Sequence, residues 1–75
     1  MEKIFINTDK IRLDQLLKLA GAVPTGGAIK QLLSEKRIFV NGILETARRK
    51  QLSSNDVVMV KWDDGDEEYQ AVREE

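Results

Sequence analysis

The chain has 75 residues, 41% of them hydrophobic, with no cysteine and no histidine; that length suits one domain with a marginal core, burying only about 60% of the surface its unfolded form exposes. The missing residue types exclude disulfides, thiolate or imidazole metal sites, cysteine nucleophiles and histidine general bases. The net charge of −1 hides an asymmetry: Met1 to Lys61 carries eleven Lys/Arg against six Asp/Glu, whereas Trp62 to Glu75 carries one Arg against seven acids.

In chain order, Lys3 to Asn7 holds Ile4, Phe5 and Ile6, a short β-type run that predicts a strand. Thr8 or Asp9 is positioned to cap a helix in which Leu13, Leu16, Leu17 and Ala20 share one face. Asp14 and Lys18 fall opposite, Arg12 falls on the flank, and Gly21 is the natural stop. Gly21 to Pro24 is too short to let the next helix separate, so the two should pack through their leucine faces. Pro24 forbids helix immediately before it and Thr25 offers an N-cap oxygen, which places Gly26 and Gly27 in the first turn of the second helix. Ala28, Ile29, Leu32 and Leu33 then lie on one face, with Lys30, Ser34 and Arg37 on the other. The helix should end near Glu35 or Lys36.

Ile38 to Val40 reads as a strand, and Asn41-Gly42 as a type I′ turn, because both of its central positions need positive φ. Ile43 and Leu44 start the return, which gives way to a polar run from Glu45 to Gln51. Ser53 to Asp56 is a turn cluster. Val57 to Trp62 is apolar on both faces for four residues, the pattern of a central or covered strand. Asp63 to Asp66 reads as a turn, and Glu67 to Val72 as a weak edge strand carrying Tyr69. Residues 63–75 then form an acidic C-terminal extension, which suggests an intramolecular brake competing with phosphate for the basic part of the chain.

The basic residues collect in three places: Arg12 and Lys18, Lys30 and Arg37, and Arg48-Arg49-Lys50. If the helix pair lies on the sheet, the three groups can line one side and offer a surface to a phosphate backbone; a merely solvated face accounts for the charges equally well. Thr25-Gly26-Gly27 sharpens the phosphate reading, because a first helical turn without side chains exposes unpaired backbone N–H groups. The glycines equally suit close packing of two helices. A helix-turn-helix reader of DNA needs base-reading side chains on the first half of the second helix, and Gly26, Gly27, Ala28 and Ile29 do not supply them. A ubiquitin-like carrier would end in Gly-Gly, and this chain ends Arg73-Glu74-Glu75. Asp63 to Glu68 lacks the alternating oxygens and flanking helices of an EF-hand. An enzyme is disfavoured, since Ser34, Ser53 and Ser54 have no histidine partner.

The order Arg12-Leu13-Asp14, helix, turn, helix, then Ile38-Phe39-Val40-Asn41-Gly42 and Asn55-Asp56-Val57-Val58 resembles the RNA-binding domain named after ribosomal protein S-four. In its common form that domain reads RLD, SR, VxVNG and GD. The Thr25-Gly26-Gly27-Ala28-Ile29-Lys30 version is similar to its small stand-alone bacterial members, the YaaA/YbcJ-like proteins. The resemblance spans roughly residues 10–60. It implies an α+β fold, two packed short helices on a small, mostly antiparallel sheet (the alpha-L motif), forming a single domain over residues 1–75. It implies non-catalytic binding of structured RNA, ribosomal or transfer RNA, with ribosomal particles as further partners; a protein-interaction module of ribosome-associated assemblies is the alternative. The implied contact positions are Arg12, Lys18, Thr25, Gly26, Gly27, Lys30, Arg37, Asn41, Arg48, Arg49 and Lys50. Three positions depart from the pattern: Thr25-Gly26-Gly27 replaces Ser-Arg and removes a cation, Lys36 stands where Gly is usual before the VNG strand, and Asn55 replaces the Gly of the GD pair. No cofactor or metal is expected. With no apolar run long enough to cross a membrane and no apolar signal segment, a cytoplasmic monomer is expected.

Overall fold

The computed structural model describes residues 1–74; Glu75, the last residue of the acidic stretch, lies outside them. The elements run β1 (Glu2–Ile6), β2 (Lys10–Arg12), α1 (Leu13–Leu19), α2 (Gly26–Ser34), β3 (Ile38–Val40), β4 (Ile43–Leu44), β5 (Gln51–Ser53), β6 (Val57–Trp62) and β7 (Gly65–Arg73). Five strands make one sheet in the order β1-β7-β6-β3-β4, antiparallel except for the β1–β7 pair, and β2 and β5 form a separate antiparallel ribbon. The fold is therefore α+β, two short helices packed on a mostly antiparallel sheet, as the sequence implies.

Period-two alternation puts Ile4, Ile6, Ile38, Val40, Val58, Val60, Tyr69 and Ala71 on the buried side of the sheet. They meet Leu13, Leu16 and Leu17 of α1 and Ile29, Leu32 and Leu33 of α2 in one cluster. Each fully buried Leu or Ile contributes about 1.5–3 kcal/mol, so this single layer carries most of the stability of so short a chain. Val57 and Met59, on the opposite side of β6, stay half-buried; the strand is central yet covered on one side only. No helix is long and apolar enough to cross a membrane.

Four sequence expectations need correction. First, Thr8 and Asp9 do not cap α1. The chain stays extended through Arg12 to pair with β5, and the Thr8 hydroxyl donates to the Lys10 carbonyl at 2.7 Å. The first amides of α1 instead donate to loop carbonyls, Leu13 N to Lys50 O at 2.8 Å and Asp14 N to Arg48 O at 3.1 Å. Second, Asp14 does not face solvent but is 5% exposed, because its carboxylate accepts from the Gln15 amide at 2.9 Å and pairs with Arg12.

Third, the last residue of the polar run, Gln51, opens β5, which continues through the fully buried Leu52 to Ser53, the first residue of the expected turn cluster. Fourth, β7 is no edge. It pairs on one side with β1 (Glu2 with Tyr69 through Ile6 with Arg73) and on the other with β6 (Val57 with Gln70 through Trp62 with Gly65). Tyr69 and Ala71 alternate inward; burial first, and then the hydroxyl's 2.7 Å hydrogen bond to Glu67, push the Tyr69 pKa up to about 12. Cutting the chain after Trp62 would remove a strand from inside the sheet, which takes away the basis for an acidic brake.

Both helices end alike. After α1, Gly21 N donates to Lys18 O and Ala22 N to Leu17 O, each at 3.0 Å; after α2, Lys36 N donates to Leu33 O and Arg37 N to Leu32 O, again at 3.0 Å. These are paired Schellman closures, which require a left-handed residue just past the helix. Gly21 supplies it at φ +73° and Lys36 at φ +59°. The usual glycine at the Lys36 position is thus explained by backbone geometry. Asn55 at φ +78° stands in the same way for the other missing glycine, and asparagine tolerates that region better than lysine does.

Candidate nucleic-acid interface

The start of α2 is built as the sequence predicts. Thr25 is extended (φ −143°, ψ 161°) and its side chain accepts from the Ala28 amide at 3.3 Å, which leaves the Gly26 and Gly27 amides as the unpaired donors of the first turn. Close helix packing does not explain the two glycines. A Cβ at Gly26 would meet only Arg48 Nη1 at 3.8 Å and Lys18 Nζ at 4.0 Å, and one at Gly27 only the Thr25 hydroxyl at 3.8 Å. Three segments therefore converge: the last turn of α1 brings Lys18, the 45–50 loop brings Arg48, and the positive end of the α2 dipole lies between them.

The same surface continues along α2. Lys30, Leu33, Ser34, Lys36, Thr46 and Arg48 line an open groove of about 560 Å³. Sequence reasoning omitted Lys36 from the candidate residues, although its position two residues past the helix end is a signal that could have placed it beside Lys30. Among the described residues, Lys18, Lys30, Lys36 and Arg48 take part in no ion pair. A phosphate can approach all four without displacing a carboxylate.

Other candidate cations stand differently, so the three basic groups do not line one side as uniformly as expected. Arg12 Nε lies 3.2 Å from the buried Asp14 carboxylate. Arg37 contacts Glu35 at 2.7 Å and Asp63 at 2.9 Å and donates to the Lys61 carbonyl at 2.9 Å; the Asp63 hydrogen bond, then that of Glu35, raises its pKa further. Arg37 borders a separate groove with Val23, Pro24, Leu32 and Trp62. Arg49 and Lys50 are exposed, and Lys50 edges a shallow depression with Asn41, Glu45 and Asp56.

Asn41 is tied into the fold. Its side chain donates to Asp56 at 3.1 Å and accepts from Val57 N at 3.0 Å, while its own amide donates to Val57 O at 2.8 Å. With Asn41 at φ +51° and Gly42 at φ +83°, the type I′ turn is formed and locked to the start of β6. Asp56 also accepts from Ser53 N at 2.7 Å. The VNG and ND segments are thus one hydrogen-bonded corner. Among the described residues, no group of three or more carboxylates is placed to hold a metal ion.

A family model described as the S4 domain matches residues 4–70. A protein of Bacillus subtilis (strain 168), described as "Probable ribosome maturation protein RlbA", is 40% identical over 58 residues, which is 77% of this chain and 82% of that protein. No solved structure matches.

Proposed function

The chain belongs to the S4-domain family, and from that premise we propose that it is a non-catalytic, ribosome-associated protein that binds structured RNA, ribosomal RNA in the first place. The observation that carries this reading is the convergence of Lys18 Nζ and Arg48 Nη1 on the glycine turn that opens α2. Two free cations and two unpaired amides make a compact anion cradle, and Lys30 and Lys36 extend it along the groove. Arg49 and Lys50 lie next to Arg48 in the loop and supply longer-range attraction, and Thr25 holds the turn in shape. The similarity to a protein named for ribosome maturation supports the ribosomal setting.

Such a surface reads shape. It offers cations and amides but no exposed aromatic platform on which single-stranded bases could stack; Trp62 and Tyr69 are respectively half-buried and buried. A structured RNA should therefore bind more tightly than a single strand of equal length, with log affinity falling linearly against log salt. Lys18→Gln with Arg48→Gln should make that line shallower by roughly 1.4–1.8 units, the contribution of two phosphates. Preference for the single strand, or a slope unchanged in the double variant, would refute the reading.

A further inference from the structure

Beside the cations Lys30, Lys36 and Arg48, the α2 groove is lined by Leu33 and by two hydroxyl side chains, Ser34 and Thr46. Ser34 lies four residues after Lys30 and so stands one turn further along the same side of the helix. Its hydroxyl donates to the Gln31 carbonyl at 2.9 Å. A serine hydroxyl has a single proton, and here that proton is held inside the helix, so Ser34 presents only oxygen lone pairs to the groove. Thr46 is in a different state. The chain has seven Ser, Thr and Tyr side chains; Thr8, Thr25, Ser34, Ser53, Ser54 and Tyr69 are hydrogen-bonded within the protein, and among the described residues Thr46 alone is not. Its backbone is nonetheless fixed. The Glu45 amide donates to the Ile38 carbonyl at 2.9 Å, and the Glu45 carboxylate accepts from Thr46 N at 3.1 Å and from Ala47 N at 3.0 Å.

A phosphate oxygen carries no proton, so it satisfies the three cations but not Ser34. The part of a ligand that faces Ser34 must donate. In a nucleic acid held through its phosphates, the donor that belongs to the backbone itself is the ribose 2′-hydroxyl, which also accepts and which DNA lacks. On the premise that this groove binds RNA, we propose that Ser34 and Thr46 read ribose 2′-hydroxyls and thereby distinguish RNA from DNA. Ser34 accepts from one of them, and Thr46, with its proton and lone pairs both free, donates or accepts. Lys30, Lys36 and Arg48 hold neighbouring phosphates, whose charge is the same in both nucleic acids. Leu33, 8% exposed, gives the groove an apolar floor for the carbon face of a sugar. A-form duplexes display 2′-hydroxyls along a wide, shallow minor groove, which an open surface of cations and hydroxyls can follow without entering the stack of bases.

The test uses the whole chain and one hairpin sequence made as RNA, as 2′-fluoro RNA and as DNA. Fluorine keeps the A-form shape and every phosphate but cannot donate a proton, so it separates the hydroxyl from shape and charge. The unaltered protein should bind the RNA about tenfold more tightly than the 2′-fluoro hairpin, the effect of two ordinary hydrogen bonds, and the DNA no better than the 2′-fluoro form. Ser34→Ala with Thr46→Val, both at exposed positions, should weaken RNA binding by about that factor while leaving the 2′-fluoro affinity and the salt slope unchanged, so that the two affinities converge. Thr46→Ser, which keeps the hydroxyl, should retain the preference. Equal affinity of the unaltered protein for RNA and 2′-fluoro RNA, a preference that survives the double variant, or an equal loss on both hairpins would overturn the proposal and leave RNA binding standing. Binding that ignores salt, or no binding to any hairpin, would remove the RNA reading and this assignment with it.

Discussion

Lys18 and Arg48 differ from Arg12 and Arg37 in what stands beside them. The first two meet across a glycine turn with no carboxylate nearby; the other two sit against Asp14, Glu35 and Asp63. All four carry the same formal charge, and a count along the chain treats them as one population. An incoming phosphate distinguishes them, because at Arg37 it must compete with two acids already in contact, whereas at Arg48 it displaces only water and counterions. The proposed binding surface is therefore defined as much by where acids are absent as by where bases are present.

The most direct way to erase this difference is to give the free pair an acid. Gly26→Asp would place a carboxylate between Lys18 and Arg48, where an added Cβ makes only ordinary contacts. RNA affinity at 0.1 M salt should fall roughly thirtyfold or more, corresponding to two phosphate contacts with slopes of about 0.7–0.9 each. Thermal stability should hold or rise, since an acid in the first helical turn suits the dipole. A melting curve beside an RNA titration checks both halves.

The reverse operation is Asp14→Asn, which leaves Arg12 without its partner. Because Asp14 is buried while the Arg12 side chain is 43% exposed, the expected cost is about 1–2 kcal/mol of stability, read by denaturant unfolding. The salt slope of RNA binding should stay the same. A change in that slope would mean that Arg12 reaches RNA after all.

Lys36→Gly separates backbone from charge at one residue. The left-handed position should become more stable by about 1 kcal/mol, while RNA affinity drops severalfold through loss of a groove cation. Improved stability with undiminished affinity would remove Lys36 from the surface. Arg37→Gln should do least of all, changing RNA affinity by less than about 0.5 kcal/mol, as for a substitution away from the site. A large loss there would collapse the distinction between paired and free cations.

The periodic elements were legible in the sequence. The leucine faces of α1 and α2, the Thr25 cap, the Asn41-Gly42 turn and the span of β6 all follow from local pattern, and each is found where that pattern puts it. The β2–β5 ribbon was not legible, because strands of three residues with a single apolar centre, Ile11 and Leu52, have no period to detect. β7 resists reading because Asp66, Glu67 and Glu68 at its hairpin end dominate the composition, while the two residues that anchor it inward, Tyr69 and Ala71, show alternation too briefly. The site was half legible. Which residue types form it could be read from the chain, but which of them are neutralised depends on tertiary pairs such as Arg37 with Asp63.

The parallel pairing of β1 with β7 also bears on how the protein is made. Glu2 has its sheet partner in Tyr69, so the first strand synthesised waits for the last. At about 5–20 residues per second, that wait is on the order of 3 to 13 s. Throughout it, Ile4 and Ile6 lack the neighbour that completes their side of the core, and the β6–β7 hairpin that must slot in beside them does not yet exist. Helix pairing and the Asn41-Gly42 hairpin need only local chain and can form early. Closure of the sheet cannot, and a nascent chain stalled before β7 would present an open strand edge to whatever lies near it.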